Sequence, residues 1–170
     1  MTTNRTYDSL NRGLTIQYPA QTGLPGSPTK VITHSYDNAS RLASLSFNGQ
    51  QQASGFVYNA SSQTTSLNVG VAGANQVNEQ FTFDPQTGLL TNQRAVQSGS
   101  EIINLSYDYT RNNSAGNTNP NWKTGAITKV INNLNNQPPS QNKNREYQYD
   151  SLGRLRFAKG GPTSNLWTQE

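Results

Sequence analysis

The sequence predicts an all-β chain, a series of antiparallel β-hairpin repeats forming a curved or spiralling sheet. Three observations carry that expectation. A short hairpin signature recurs along the chain. Its copies follow one another at a step of twenty-odd residues. The segments between copies alternate apolar and polar side chains with the period of a strand, and none reads as a helix.

The clearest copy is Tyr149-Asp150-Ser151-Leu152-Gly153-Arg154-Leu155. Tyr147 and Tyr149 flank Gln148 and so share a sheet face. Asp150 stands where a turn begins, and its carboxylate can accept the backbone N–H two residues on. Gly153 supplies the left-handed conformation that a short bulged hairpin loop needs. Arg154 follows within reach of Asp150, and Leu155 and Phe157 restart the alternation.

Variants of the unit precede it. Tyr7-Asp8-Ser9-Leu10-Asn11-Arg12 puts Asn at the glycine position, and Asn tolerates that conformation. Tyr36-Asp37-Asn38-Ala39-Ser40-Arg41 keeps all but the glycine. Tyr58-Asn59-Ala60-Ser61-Ser62-Gln63 replaces both charged residues with amides. Phe83-Asp84-Pro85-Gln86-Thr87-Gly88 has one extra turn residue, with Pro85 pre-setting the turn. Tyr107-Asp108-Tyr109-Thr110-Arg111 opens a further copy. All five aspartates of the chain lie in these copies, which gives them a structural job. The leading aromatics stand at 7, 36, 58, 83, 107 and 149, steps of 29, 22, 25, 24 and 42 residues. The last step is one two-strand unit plus an insertion.

Tyr-Asp-x-x-Gly-Arg-Leu recurring in this way resembles the YD repeat of the Rhs family. That family includes bacterial polymorphic toxins, shell subunits of insecticidal toxin complexes and the extracellular part of teneurins. The resemblance implies a β-shell or stalk segment of a secreted or cell-surface protein. Its partners would be flanking repeats of the same chain or an enclosed toxin cargo. Residues 1–170 then read as one array of five to six units with an insertion at about 111–146, a piece of a longer chain.

Composition agrees with a single solvated sheet. Hydrophobic residues make up 31% and charged residues 13%, the difference being filled by Asn, Gln, Ser and Thr. The net charge is +4 and the sequence pI about 9.5. The basic residues are scattered, densest at Lys143, Arg145, Arg154, Arg156 and Lys159. That reads as solubility rather than a nucleic-acid face. The absence of cysteine excludes disulfides and thiolate metal sites. No segment has the length of a membrane span. Residues 1–20 lack a signal pattern, so an export signal is expected outside this stretch.

In chain order, Leu14, Ile16 and Tyr18 alternate as a first return strand. Residues 19–30 read as a loop, broken by Pro19, Gly23, Pro25, Gly26 and Pro28. Strands are expected at about 30–36 and 42–47, then, after the tight-turn dipeptide Asn48-Gly49, at 53–58. Further strands are expected at 64–71 and 76–83, then at 89–97 and 101–107 about a turn at Ser98-Gly99-Ser100. Residues 111–122 read as a long polar loop, 125–134 as a strand, and 137–142 as a second loop.

Catalytic chemistry is sparse. His34 shares a strand side with Tyr36 and reads as packing. Glu79, Glu101, Glu146 and Glu170 form no recognisable carboxylate pair. Asp84-Pro85-Gln86-Thr87-Gly88 superficially resembles the self-cleaving aspartate region of Rhs proteins, but its place in a repeat makes it a plain turn. Asp108 with Asn112, Asn113 and Asn117 would bind calcium poorly. No enzyme, cofactor or metal is expected. The alternative is a carbohydrate-binding or adhesin-type module. Trp122 and the 111–122 loop would form it, with Tyr109, Arg111 and Trp167 as supporting ligand-binding residues and amides to meet sugar hydroxyls.

Overall fold

A computed structural model describes residues 2–20, 29–112, 118–134, 144–160 and 167–169. The chain is all-β, with antiparallel strands and no helix among these residues. It falls into two compact units, Met1–Glu79 with Gln97–Gly99, and Gln80–Val96 with Ser100–Glu170.

In the first unit, six strands lie side by side in sequence order: β1 (Asn4–Tyr7), β2 (Gly13–Tyr18), β3 (Lys30–Tyr36), β4 (Leu42–Phe47), β5 (Gln50–Tyr58) and β6 (Thr64–Val69). Every neighbouring pair is antiparallel. Register sorts their side chains by face. One row reads Ile16, Ile32, Phe47, and the next His34, Leu45, Ala53, Val69. The opposite face carries Thr6, Thr15, Thr33 and Ser46. Thr6 and Thr15 share a 2.6 Å hydroxyl contact, and Ser35 and Ser44 another of 2.6 Å. The alternation seen in the sequence is thus real, with one apolar and one hydroxylic face.

Asn48 and Gly49 both take positive φ (48° and 78°), the two-residue hairpin turn whose twist matches that of its strands. Asn48 also ties this turn to β3, its Oδ1 accepting from Val31 N at 2.8 Å and its N–H donating to Val31 O at 2.8 Å. β5 starts three residues earlier than expected and absorbs the extra length in a bulge around Gly55 (φ 61°).

The second unit holds the end of β7 (Val77–Phe83), then β8 (Leu90–Gln97), β9 (Ser100–Asp108), β12 (Lys129–Asn132), β13 (Arg145–Tyr149), β14 (Leu155–Gly160) and β15 (Trp167–Gln169), hydrogen-bonded in that order. Between β9 and β12 the chain forms a separate pair, β10 (Thr110–Asn112) with β11 (Thr118–Lys123). The expected polar loop at 111–122 is therefore partly a hairpin. Asn-rich strands without β-branched alternation gave no strand signal there. The strand expected over 125–134 shrinks to Lys129–Asn132. Gly125 has positive φ (77°) at one end, and Asn132 Oδ1 accepts from Leu134 N at 3.2 Å at the other. The second expected loop, 137–142, lies outside the described residues.

Burial is shallow. Among the described residues the buried apolar side chains are Ala95, Tyr109 and Ala158. Phe47 and Val69, on the apolar face of the first unit, remain 39% and 37% exposed.

Candidate functional site: the Asp–Arg turns

The expected turns share one wiring. In the first, Asp8 N donates to Arg12 O and Asn11 N to Asp8 O, both at 3.0 Å. This is a type I turn closed by a left-handed residue, Asn11 at φ 60°, with a register step beside it. Asp8 Oδ1 accepts from the backbone N–H groups of Leu10 and Arg12, each at 2.9 Å. Its Oδ2 accepts from Arg12 Nε at 2.6 Å. Asp37 repeats this with Ala39 and Arg41 at 2.9 Å and Arg41 Nε at 2.8 Å. Asp150 repeats it with Leu152 and Arg154 at 2.9 Å and Arg154 Nε at 2.7 Å. The left-handed place is filled by Ser40 (63°) and Gly153 (77°).

These bonds favour the ionised carboxylate. The backbone N–H of Arg12 is the main influence holding Asp8 below its ordinary value of 3.8, joined by the Arg12 guanidinium and opposed by partial burial. Asp37 is lowered for the same reasons by the backbone N–H and guanidinium of Arg41.

The neutral copy keeps the geometry. Asn59 Oδ1 accepts from Ser61 N and Gln63 N at 3.0 Å, its Nδ2 donates to Gln63 Oε1 at 2.8 Å, and Ser62 takes φ 60°. Asp84 forms the wider turn, accepting from Gln86 N at 3.0 Å and Thr87 N at 2.9 Å, with Gly88 at φ 69°. Its carboxylate caps the turn as expected there. Asp108 Oδ1 accepts from Thr110 N at 2.8 Å.

The turns also interlock from one hairpin to the next, which the sequence reading missed. Arg12 lies over the Tyr36 ring, its Cζ 4.6 Å from the centroid. Tyr36 donates its hydroxyl to Gly13 O at 2.9 Å, and Arg12 Nη1 donates to Ser40 Oγ at 3.1 Å. One step on, Arg41 covers Tyr58 at 4.5 Å and Tyr58 donates to Leu42 O at 2.7 Å. In the second unit Tyr149 donates to Ile127 O at 3.0 Å. Each tyrosine therefore reaches back to a carbonyl beside the preceding turn. A guanidinium thus lies on the ring at Tyr36 and at Tyr58, and the Tyr58 ring also stacks on Phe56, their centroids 6.2 Å apart. In sequence each arginine precedes the leading tyrosine of the next repeat by twenty-four (Arg12 to Tyr36) or seventeen (Arg41 to Tyr58) residues, with Tyr18 between Arg12 and Tyr36, so spacing alone did not mark the pair.

The fifth copy departs from the others. Here Tyr109, after the aspartate, makes the backward bond, to Leu90 O at 2.8 Å, while Tyr107 donates to Gln93 Oε1 at 3.0 Å. Tyr109 is 7% exposed, and burial, with the neighbouring Tyr107, raises its hydroxyl pKa above the usual 10.0. Its ring is packed and its hydroxyl engaged. Arg111 and Trp122 stand in β10 and β11, and Trp167 in β15; their side chains lie outside the described residues.

A second polar arrangement was also missed. Asn92 Nδ2 donates to Asn104 Oδ1 (3.1 Å) and Leu105 O (3.0 Å), and Asn133 Nδ2 to Ser106 Oγ (2.7 Å) and Asn104 Oδ1 (3.2 Å). Asn104 Nδ2 reaches Glu101, which also pairs with Arg94, and Arg94 in turn reaches Gln80. Asn104 and then Arg94 hold the Glu101 carboxyl below its usual range. In the first unit Asn78 Nδ2 donates to Asn68 Oδ1 at 2.8 Å. These amides link strands where an apolar side chain would otherwise pack. Glu101 is thereby engaged in structure, and His34 sits in the apolar row opposite Leu45. No cluster of three or more His, Cys, Asp or Glu suited to a metal occurs among the described residues.

No family profile and no curated protein matches the chain. Solved structures do match it. Its fold resembles a stretch of TcdB2–TccC3. The crystal structures of TcdB2–TccC3 with Cdc42 and of TcdB2–TccC3 itself match at 21% and 20% identity, each with a TM-score of 0.66. The Tc holotoxin pore of Photorhabdus luminescens, carrying a TccC3 substitution, matches at 20% identity and a TM-score of 0.67. Each alignment covers 93% of this chain but only 7% of the other.

Proposed function

We propose that the chain is a structural wall segment of a secreted or cell-surface Rhs/YD-repeat protein. In this reading it has no catalytic activity, and it contacts flanking repeats or an enclosed toxin cargo. The observation that carries the reading is the interlock of Arg12 with Tyr36 and Arg41 with Tyr58, which ties consecutive hairpins of the first unit together. The likeness in fold to a stretch of TcdB2–TccC3 supports it. Electron cryomicroscopy of the protein that carries this segment tests the reading. Residues 1–170 are expected within a wall around a cavity. A free-standing module projecting from its neighbours would overturn it.

A glycan-binding role for the 111–122 region is a second reading, favoured by β10–β11 being hydrogen-bonded as a separate pair. It requires glycan binding that Trp122→Ala abolishes with the fold intact.

A further inference from the structure

Asn48-Gly49 is the one Asn-Gly pair in the chain. Asparagine is a thermolabile residue, and before glycine it is most so, because no side chain shields the glycine nitrogen. The reaction is a ring closure. The Gly49 nitrogen bonds to Asn48 Cγ, the Cγ–Nδ2 bond breaks, and Nδ2 departs as ammonia with the Gly49 amide proton. Water then opens the cyclic imide at one carbonyl or the other, leaving aspartate or isoaspartate at position 48.

Both residues are exposed, and nothing stands within 4 Å of a Cβ added to Gly49, so water reaches the pair. The turn nevertheless holds the reacting atoms apart. Positive φ at both residues (48° and 78°) marks the mirror image of a type I turn, in which the ψ of Asn48 is about +30°. At that ψ the Gly49 nitrogen lies anti to Asn48 Cβ, on the far side of Cα from the carbonyl it must attack. Val31 holds that carbonyl as well. Asn48 Oδ1 accepts from Val31 N at 2.8 Å, and Asn48 N donates to Val31 O at 2.8 Å. The side chain is thereby drawn toward β3, and ring closure requires the turn to open and this bond to part.

We propose that Asn48 is a site of spontaneous deamidation, closed in the folded turn and released when the β4–β5 turn opens. The product keeps a record of each opening. Aspartate retains an acceptor for Val31 N–H. Isoaspartate routes the main chain through Cβ and adds a backbone atom, so Phe47 and Gln50 no longer pair across a two-residue turn. This inference rests on one turn and does not depend on the wall reading.

The test holds the 170-residue chain at one mildly alkaline pH and temperature, folded or unfolded in guanidinium chloride. Mass spectrometry of the peptide containing Asn48 then follows conversion and separates aspartate from isoaspartate. Conversion is expected in the unfolded chain and about tenfold or more slower in the folded one, because the turn stands open only a small fraction of the time. Val31→Pro removes the N–H that Asn48 Oδ1 accepts. It should convert faster than the parent when folded and at the same rate when unfolded, with the far-ultraviolet circular dichroism of the parent. A second reading needs no variant: guanidinium added below the unfolding transition should speed conversion in the parent. The isoaspartate product should melt lower than the parent, and Asn48→Asp close to it. Equal rates in the folded and unfolded chains would overturn the proposal, as would no conversion in the unfolded chain, or a folded-state rate that neither Val31→Pro nor dilute guanidinium raises.

Discussion

The fourth position of each compact turn sits at positive φ whatever residue occupies it: Asn11, Ser40, Ser62 and Gly153. Only glycine does so without a Cβ penalty. At Gly153 no atom lies within 4 Å of an added Cβ, so the cost of a larger residue is conformational rather than steric. Gly153→Val is therefore expected to lower stability by about 1–3 kcal/mol, the strain of a branched residue held there. Arg154→Ala removes a largely exposed ion pair and should cost no more than about 1 kcal/mol. Equal melting temperatures for the two variants would contradict this turn. The converse change is Ser62→Gly, which relieves the same penalty and is expected to raise stability by up to about 1 kcal/mol in denaturant titration.

At the scale of the turn, Asn59 separates what charge does from what geometry does. Its carboxamide makes the two backbone bonds that Asp37 makes, without an ion pair. Asp37→Asn is thus expected to keep the turn, whereas Asp37→Ala loses it and melts lower near neutrality. The folded pKa values of Asp8 and Asp37 lie below the ordinary 3.8. Their contribution is therefore complete above that value and lost as pH falls through the lowered one. The melting temperature should hold near neutrality and drop in acid, with a shallower drop for Asp37→Asn. These turns were legible in the sequence because their wiring spans five residues. The Arg12–Tyr36 contact was not, since it joins residues twenty-four apart across a loop, and letters alone do not show that both reach the same spot.

For the molecule as a whole, the sequence reading captured strand order and missed how little is covered. Most strand limits lay where alternation and turn residues placed them, from Lys30–Tyr36 to Leu42–Phe47. The hairpin of β10 and β11 escaped notice because Thr-Asn-Pro-Asn-Trp-Lys has no strand pattern. The wealth of asparagine read as loop and solvation, yet Asn92, Asn104 and Asn133 are cross-strand ties within the second unit. Periodicity cannot reveal a polar side chain that bonds its neighbour strand instead of water. With Ala95, Tyr109 and Ala158 the buried apolar side chains among the described residues, cohesion there rests more on such ties and on the backbone ladder than on a packed interior.

The backward-reaching tyrosines also give the first unit a mechanical grain. A pull on Asn4 would first part Thr6 from Thr15 and then meet the turn at Asp8. Arg12 carries that turn's load across to Tyr36, and Arg41 hands it on to Tyr58. The sheet there resists peeling hairpin by hairpin rather than strand by strand, each rivet sited just beyond the turn it secures.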